Sequence, residues 1–173
     1  MSLSSKARIT REPTPAFSAH LTYDPRRGIL DFVSGLHAAN AVQLAQAERS
    51  GVPVVFLQDL SSHMHLKFPR VIEILGIPRA TAAEKLKKNT PITGAGGHAA
   101  LGMARLLARA QQIVANSTSP QARGFEVAPW LGEWIETPQP ALGGRKPADL
   151  LDTPSGLDAV MRVLGALESG AYQ

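Results

Sequence analysis

Three short stretches of the chain carry residue types that can do chemistry. Gly94–Gly97 precedes a predicted helix, as phosphate-binding loops do, but no Lys-Ser or Lys-Thr pair follows and no strand precedes it. His63 and His65 could bind a metal from one face of a strand, but here they fall at a predicted helix end, where a histidine serves as a cap. Ser61 and Ser62 lack the Gly-x-Ser-x-Gly pattern of an activated nucleophile. We therefore predict a helix-entry loop at the glycines, no catalytic residue, no metal, no cofactor and no enzymatic activity.

Composition limits the class of protein. The 173 residues allow one domain or two small ones, and a hydrophobic content of 44% is enough for a packed core. The absence of cysteine excludes disulfides and cysteine-ligated metals, and fits a reducing compartment. No apolar run is long enough to span a membrane, and the first residues do not read as a secretory signal. We therefore expect a cytoplasmic protein without a membrane partner.

Charge is distributed unevenly along the chain. From Gly124 onward there are seven acidic and three basic residues, which gives a net charge of −4. Because the whole chain has a net charge of +4, the first 123 residues must carry +8. A basic front half favours nucleic acid as a partner, whereas an acidic back half favours a basic cleft on another protein.

The spacing of apolar residues predicts an all-α fold. Residues 1–27 are polar, basic and contain three prolines, and we expect a flexible basic arm there. Gly28–Arg49 is predicted as one long helix or as two helices joined near Ser34–Gly35, and Pro53–His63 as the next helix. His98–Val114, rich in alanine and leucine, is predicted as a helix that connects the two halves of the chain.

A basic helix pair follows the first helices. Lys67–Leu75 and Arg79–Lys88 are predicted helices on either side of a tight turn at Gly76–Pro78, which is the helix-turn-helix arrangement. Its predicted core is Ile72, Leu75, Ile77, Ala82 and Leu86. The predicted DNA-binding residues are Lys67, Arg70, Arg79, Thr81, Lys85, Lys87 and Lys88. The plainer alternative is a solvated basic helix face.

The last forty residues hold a dense set of local signals. Trp130 and Trp134 are four residues apart on a predicted short helix, which buries two large rings together. Gly143–Gly144 permits a tight chain reversal, and Thr153 is a good N-cap for a helix that extends to about Leu167 and stops at Gly170. These signals predict short capped helices joined by a rigid turn.

The order of these signals resembles the toxin-binding module of the MbcA/ParS/Xre class of bacterial antitoxins. The residues that carry the resemblance are Trp134, Pro138, Leu142, Gly143, Gly144, Pro147, Leu150, Leu151, Thr153, Gly156, Val160, Leu164 and Gly170. The resemblance covers about Gly51 to the C-terminus and implies a helix-turn-helix (Xre-like) domain followed by a toxin-binding domain. We therefore assign residues 28–92 to N-terminal helices and the helix-turn-helix domain, 93–116 to a connecting helix and 117–173 to a small helical toxin-binding domain.

The resemblance also implies a function. Members of this class are antitoxins of type II toxin–antitoxin systems that block RES-type toxins, which consume NAD or transfer ADP-ribose. They tend to form homodimers and to repress their own operon by binding operator DNA. Carried over to this chain, the toxin-binding residues are Trp134, Leu142, Gly143, Gly144, Arg145, Asp149, Leu150, Thr153, Leu167, Glu168, Ser169, Gly170, Ala171 and Tyr172. Of these, residues 167–172 would plug the toxin's cleft.

Two other readings remain open at this point. In the first, the chain is a stand-alone helix-turn-helix transcriptional regulator whose C-terminal part only dimerises or senses a ligand. In the second, it is an enzyme whose site the sequence does not reveal. An antitoxin should be encoded next to a gene whose product is poorly tolerated alone, and neither alternative requires such a neighbour.

Overall fold

The computed structural model describes residues 21–168, and this part of the chain is helical. The helices are α1 (Gly28–Ala38), α2 (Ala41–Ser50), α3 (Val54–His63), α4 (Phe68–Ile74), α5 (Arg79–Lys88), α6 (Gly94–Asn116), α7 (Val127–Ile135) and α8 (Pro154–Glu168). Single 3-10 turns lie at Pro120–Ala122, Pro140–Leu142 and Pro147–Asp149. Within residues 21–168, β pairing amounts to two isolated bridges, Val52 with Ile92 and Gln139 with Arg145. The predicted all-α fold is confirmed.

Helix α6 is the centre of the structure, and α1, α2, α7 and α8 all pack against it. Its 23 residues are mostly alanine, leucine and glycine, and these small or flexible apolar side chains let neighbouring helices approach on several sides. The buried side chains of all these helices form one continuous hydrophobic core. The connecting helix predicted from the sequence is therefore the main structural support of the fold.

The prediction of a loop at Gly94–Gly97 was wrong, because α6 begins at Gly94 and includes all these glycines. Gly97 explains why a helix tolerates them. A Cβ atom at this position would lie 2.6 Å from the carbonyl oxygen of Ile92, so only glycine allows this close contact. Glycine costs roughly 1 kcal/mol in a helix relative to alanine, but at this position a larger residue would collide with the Ile92 carbonyl.

The first predicted helix is two helices, but their junction lies at Ala39–Asn40 rather than near Ser34–Gly35. Asn40 caps α2: its side-chain oxygen accepts from the Gln43 N–H at 3.0 Å, and the Gln43 side chain accepts from the Asn40 N–H at 3.0 Å. This reciprocal capping box fixes the start of α2, whereas Gly35 stays inside α1.

Residues 21–27, which the sequence assigned to the arm, contact the core. Tyr23 is buried and packs edge-on against Phe32 and Phe56, with ring centroids 5.6 and 5.1 Å away. Its hydroxyl donates to the carboxylate of Asp59, and burial together with this hydrogen bond raises the pKa of Tyr23. The rest of the predicted arm lies outside the described residues.

Helices α4 and α5 are present at the predicted positions, and α5 has the predicted bounds. Four residues of the predicted core, Ile72, Leu75, Ile77 and Ala82, are buried. The fifth assignment was wrong, because Leu86 is 48% exposed. Ala82 is the buried residue of α5, so the helix meets the core through its first half and the leucine one turn later faces solvent.

Candidate functional site

The C-terminal module, residues 125–168, is organised around two stacked tryptophans on α7. The Trp130 and Trp134 rings lie 6.0 Å apart with 25° between their planes, and Phe125 lies 5.8 Å from Trp130. Trp134 is only 9% exposed. This side chain therefore anchors α7 in the core. A partner protein would contact mainly the residues that cover Trp134 and little of the ring itself.

A tight turn leads from α7 toward α8. The Gln139 N–H donates to the Arg145 carbonyl at 2.9 Å, and the Gly144 N–H donates to the Gln139 carbonyl at 3.0 Å. Gly143 and Gly144 both have positive φ, 66° and 76°, and no atom lies within 4 Å of where their Cβ atoms would be. Backbone conformation rather than crowding thus requires glycine here. The predicted reversal is confirmed, and it presents Gly143, Gly144 and Arg145 to solvent with Leu142 half-buried.

The start of α8 is fixed by the predicted N-cap. The Thr153 hydroxyl accepts from the Gly156 N–H at 3.1 Å. A Cβ atom on Gly156 would lie 1.9 Å from the Leu150 carbonyl oxygen. Only glycine at this position therefore lets the first turn of α8 pack so closely against the preceding segment. Asp149 and Thr153 are exposed and Leu150 is half-buried, which leaves this segment available to a partner.

The end of α8 is tied to the central helix. An Arg109 guanidinium nitrogen lies 2.5 Å from a Glu168 carboxylate oxygen, and Arg109 also donates to the Gln112 side chain at 3.0 Å. Leu167 packs partly against the core. The other predicted plug residues, Ser169, Gly170, Ala171 and Tyr172, lie outside the described residues, as does the predicted helix stop.

An ion-pair cluster joins α4 to the C-terminal module. The Arg70 Nε and Nη2 atoms donate to the two carboxylate oxygens of Glu136 at 2.6 and 3.2 Å. Lys146, directly after the glycine turn, lies 3.3 Å from the same carboxylate, and Glu73 lies 3.3 Å from Arg70. Sequence analysis placed Arg70 on the DNA-binding face and missed Glu136, because 66 positions separate the partners. The guanidinium is committed to this cluster, so a DNA contact by Arg70 stays a prediction that would require it to leave Glu136.

The cluster predicts a pH-dependent contribution to stability. The hydrogen bond from Arg70 lowers the pKa of Glu136, as does the one from Lys146, against an opposing effect of burial. When folding lowers the pKa of a carboxyl, that group stabilises the fold at every pH above its pKa in the unfolded chain. The stabilisation is lost as the pH falls through the lower pKa of the folded chain. We expect Glu136→Gln to lower the free energy of unfolding by about 1–2 kcal/mol at pH 7.

The measurement is urea unfolding of both proteins between pH 7 and pH 3. The difference between wild type and Glu136→Gln should shrink toward zero at the acidic end. Glu84→Gln is the matched control, because the Glu84–Lys88 pair is equally short, 2.6 Å, but more than half exposed on both sides. A control effect as large as that of Glu136→Gln would contradict the account.

The predicted DNA-binding residues fall on two faces of α5 and at the edge of α4. Lys67, Arg79, Lys87 and Lys88 are exposed, whereas Thr81 and Lys85 are half-exposed. Helical spacing puts Thr81, Lys85 and Lys88 on one face of α5 and Arg79 with Lys87 on another. Lys88 lies 2.6 Å from Glu84, so part of its charge is already balanced. The structure thus brings five of the seven residues onto one helix.

Neither histidine sits in a cluster suited to a metal. His63 is the last residue of α3, and His65 follows the cap with φ of 54°. Within residues 21–168, no group of three or more histidine, cysteine, aspartate or glutamate side chains is placed to hold a metal ion. In the same range, no helix has the length and hydropathy needed to cross a bilayer.

Comparison with known proteins identifies the class to which this fold and module belong. Residues 125–170 match the model of the antitoxin Xre/MbcA/ParS C-terminal toxin-binding domain. The chain is also 31% identical over 137 residues to the Prs ADP-ribosylating antitoxin of Sphingobium sp. (strain YBL2), an alignment that covers 79% of this chain and 85% of the relative. The C-terminal module is therefore a toxin-binding domain. The chain belongs to the Xre/MbcA/ParS antitoxin family, and its partner is a cognate toxin.

Proposed function

We propose that this antitoxin neutralises a RES-type toxin that consumes NAD or transfers ADP-ribose from it. The observation that carries the proposal is the match of residues 125–170 to the toxin-binding domain, together with the relative's name, which joins ADP-ribosylation to an antitoxin. ADP-ribosylation draws its ADP-ribose from NAD. We assign that chemistry to the toxin and a blocking role to this chain.

The proposed docking surface consists of exposed segments on the C-terminal module. The glycine turn, Leu142–Arg145, and the segment Asp149–Thr153 present backbone and polar groups to solvent. Asp149, Asp152 and Asp158 are exposed and, within residues 21–168, take part in no ion pair. A toxin cleft that binds a pyrophosphate is basic, so an acidic surface complements its rim.

Glu168 and the residues after it are proposed to enter the cleft. Glu168 occupies the last described turn of α8, where the Arg109 ion pair holds it. A basic cleft would compete with Arg109 for this carboxylate, so toxin binding exchanges one charge-assisted pair for another.

The growth of bacteria expressing the adjacent open reading frame tests this proposal. We expect the neighbour alone to stop growth and to lower cellular NAD, and co-expression of this chain to restore both. A harmless neighbour that does not co-purify with this chain would remove the toxin-binding proposal. Growth arrest with neither a fall in NAD nor ADP-ribosylation of a cellular target would keep the antitoxin but reject the RES-type chemistry.

We also propose that a homodimer of this chain binds operator DNA through α4 and α5 and represses its own operon. The support is the basic character of α5, where Arg79, Lys87 and Lys88 are exposed and Lys85 is half-exposed. Helix-turn-helix dimers read two half-sites about 34–36 Å apart, and phosphate contacts by lysines make the affinity depend steeply on salt. Light scattering should give twice the 18.4 kDa chain mass, and a monomer at micromolar concentration would reject the dimer.

A further inference from the structure

An apolar groove lies between the end of α6 and the end of α8. Its volume is about 210 Å³. Ile113 and Val114 of α6 form one side, and Leu164 and Leu167 of α8 form the other. Phe125 and Trp130 supply the aromatic part of the lining. Ala110 completes the lining, and none of the lining residues is charged, which suits an apolar occupant.

The aromatic part of the groove is held rigidly. Trp130 stacks on the buried Trp134 at 6.0 Å and contacts Phe125 at 5.8 Å, so the core fixes its position. Phe125 itself is 41% exposed. Exposed apolar surface beside a fixed aromatic ring is typical of binding sites, since little side-chain freedom remains to be lost on binding.

The groove is continuous with the toxin-binding domain but is not contained in it. Phe125, Trp130, Leu164 and Leu167 fall within the matched residues 125–170. Ile113 and Val114 precede that range, on α6. The apolar site is therefore complete only with the central helix, which the domain match leaves out.

We propose that the cognate toxin inserts an aliphatic or aromatic side chain into this groove, so that Ile113 and Val114 of α6 are part of the toxin-binding site. The inference rests on the proposed function and extends its docking surface. Tight protein interfaces concentrate their affinity in a few apolar anchors that are surrounded by polar contacts. Here the groove supplies the apolar anchor site, and the Arg109–Glu168 pair on the same two helices supplies polar groups.

Substitutions on both sides of the domain boundary test this site. Val114→Glu places a carboxylate in the groove, and because Val114 is half-exposed the charge can reach solvent in the free protein. Phe125→Ala removes the exposed aromatic without changing charge. Ala115→Glu is the matched control, since Ala115 is the next residue of α6, is exposed and does not line the groove.

The measurement is calorimetric titration of each full-length variant with the toxin identified by the growth experiment. We expect Kd to rise at least about tenfold for Val114→Glu and Phe125→Ala, and to stay within about twofold for Ala115→Glu. Thermal unfolding should show all three variants folded. A fluorotryptophan resonance assigned to Trp130 should also shift when toxin binds the wild-type chain, and a resonance that stays in place would overturn the groove.

The remaining outcomes separate this inference from the proposed function. No binding by the wild-type chain overturns both. Tight wild-type binding that neither substitution in the groove weakens overturns the groove alone and leaves the antitoxin standing. If Val114→Glu instead turns a dimer into a monomer without changing toxin affinity, the occupant is a second copy of this chain and the inference is wrong.

Discussion

Replacing Lys85, Lys87 and Lys88 by glutamate should abolish operator binding while leaving toxin binding unchanged. These lysines lie on α5, outside residues 125–170 that match the toxin-binding domain, and Lys87 and Lys88 are exposed. Each lysine that contacts a phosphate adds close to one unit to the slope of log affinity against log salt. We expect the wild-type chain to show a steep slope, and the triple variant to lose about a hundredfold or more in affinity at 100 mM salt.

A control with the same change in net charge separates local contact from general repulsion. Arg26, Arg27 and Arg49 are exposed and lie at or near α1 and α2, so changing all three to glutamate alters the total charge equally. This control should lose far less DNA affinity in a mobility-shift assay. Loss of DNA and toxin binding together in the lysine variant would mean that these lysines support the fold.

Removing Gly170–Gln173 should separate binding of the toxin from its inhibition. The last residues that pack in or against the described core belong to α8, whose last turn is held by the Arg109–Glu168 pair. Because the deletion begins after this turn, the melting temperature should change little. The docking surface remains, and the shortened chain should still co-purify with toxin. We expect inhibition to fall at least about thirtyfold, since removal of central interface residues costs 2 kcal/mol or more.

Removing Ser2–Ser5 is the matched control, because it deletes the same number of residues from the other end of the chain. This control should protect cells as well as the wild-type chain does. Full protection by the protein that lacks Gly170–Gln173 would reject the plug, and the docking surface would then have to block the toxin by itself.

Local sequence signals predicted the parts of the fold that local chemistry controls. The bounds of α5, the Thr153 cap and the reversal at Gly143–Gly144 each depend on residues within a few positions of one another, and all three were confirmed. The toxin-binding module was recognisable for the same reason, since its glycines and prolines stand at positions that the backbone requires.

Contacts between distant residues could not be predicted in this way. The partner of Arg70 lies 66 positions away at Glu136. The start of α6 at Gly94 was also missed, because glycines before a helix were taken for a loop. Leu86 was assigned to the core from spacing alone, although α5 meets the core only in its first half. The burial of Trp134 was predicted from its spacing to Trp130 and is confirmed, whereas its assignment as a toxin-binding residue stays a prediction. Which residues of the module touch the toxin stays a prediction.

The most direct test of the central claim is NAD consumption by the purified cognate toxin, titrated with this full-length chain. If the C-terminal module docks on the toxin and blocks its cleft, NAD consumption should fall linearly and stop at a fixed molar ratio, which also gives the stoichiometry of the complex. An unchanged rate of NAD consumption at a molar excess of folded chain would contradict the claim that this protein neutralises its toxin by binding it.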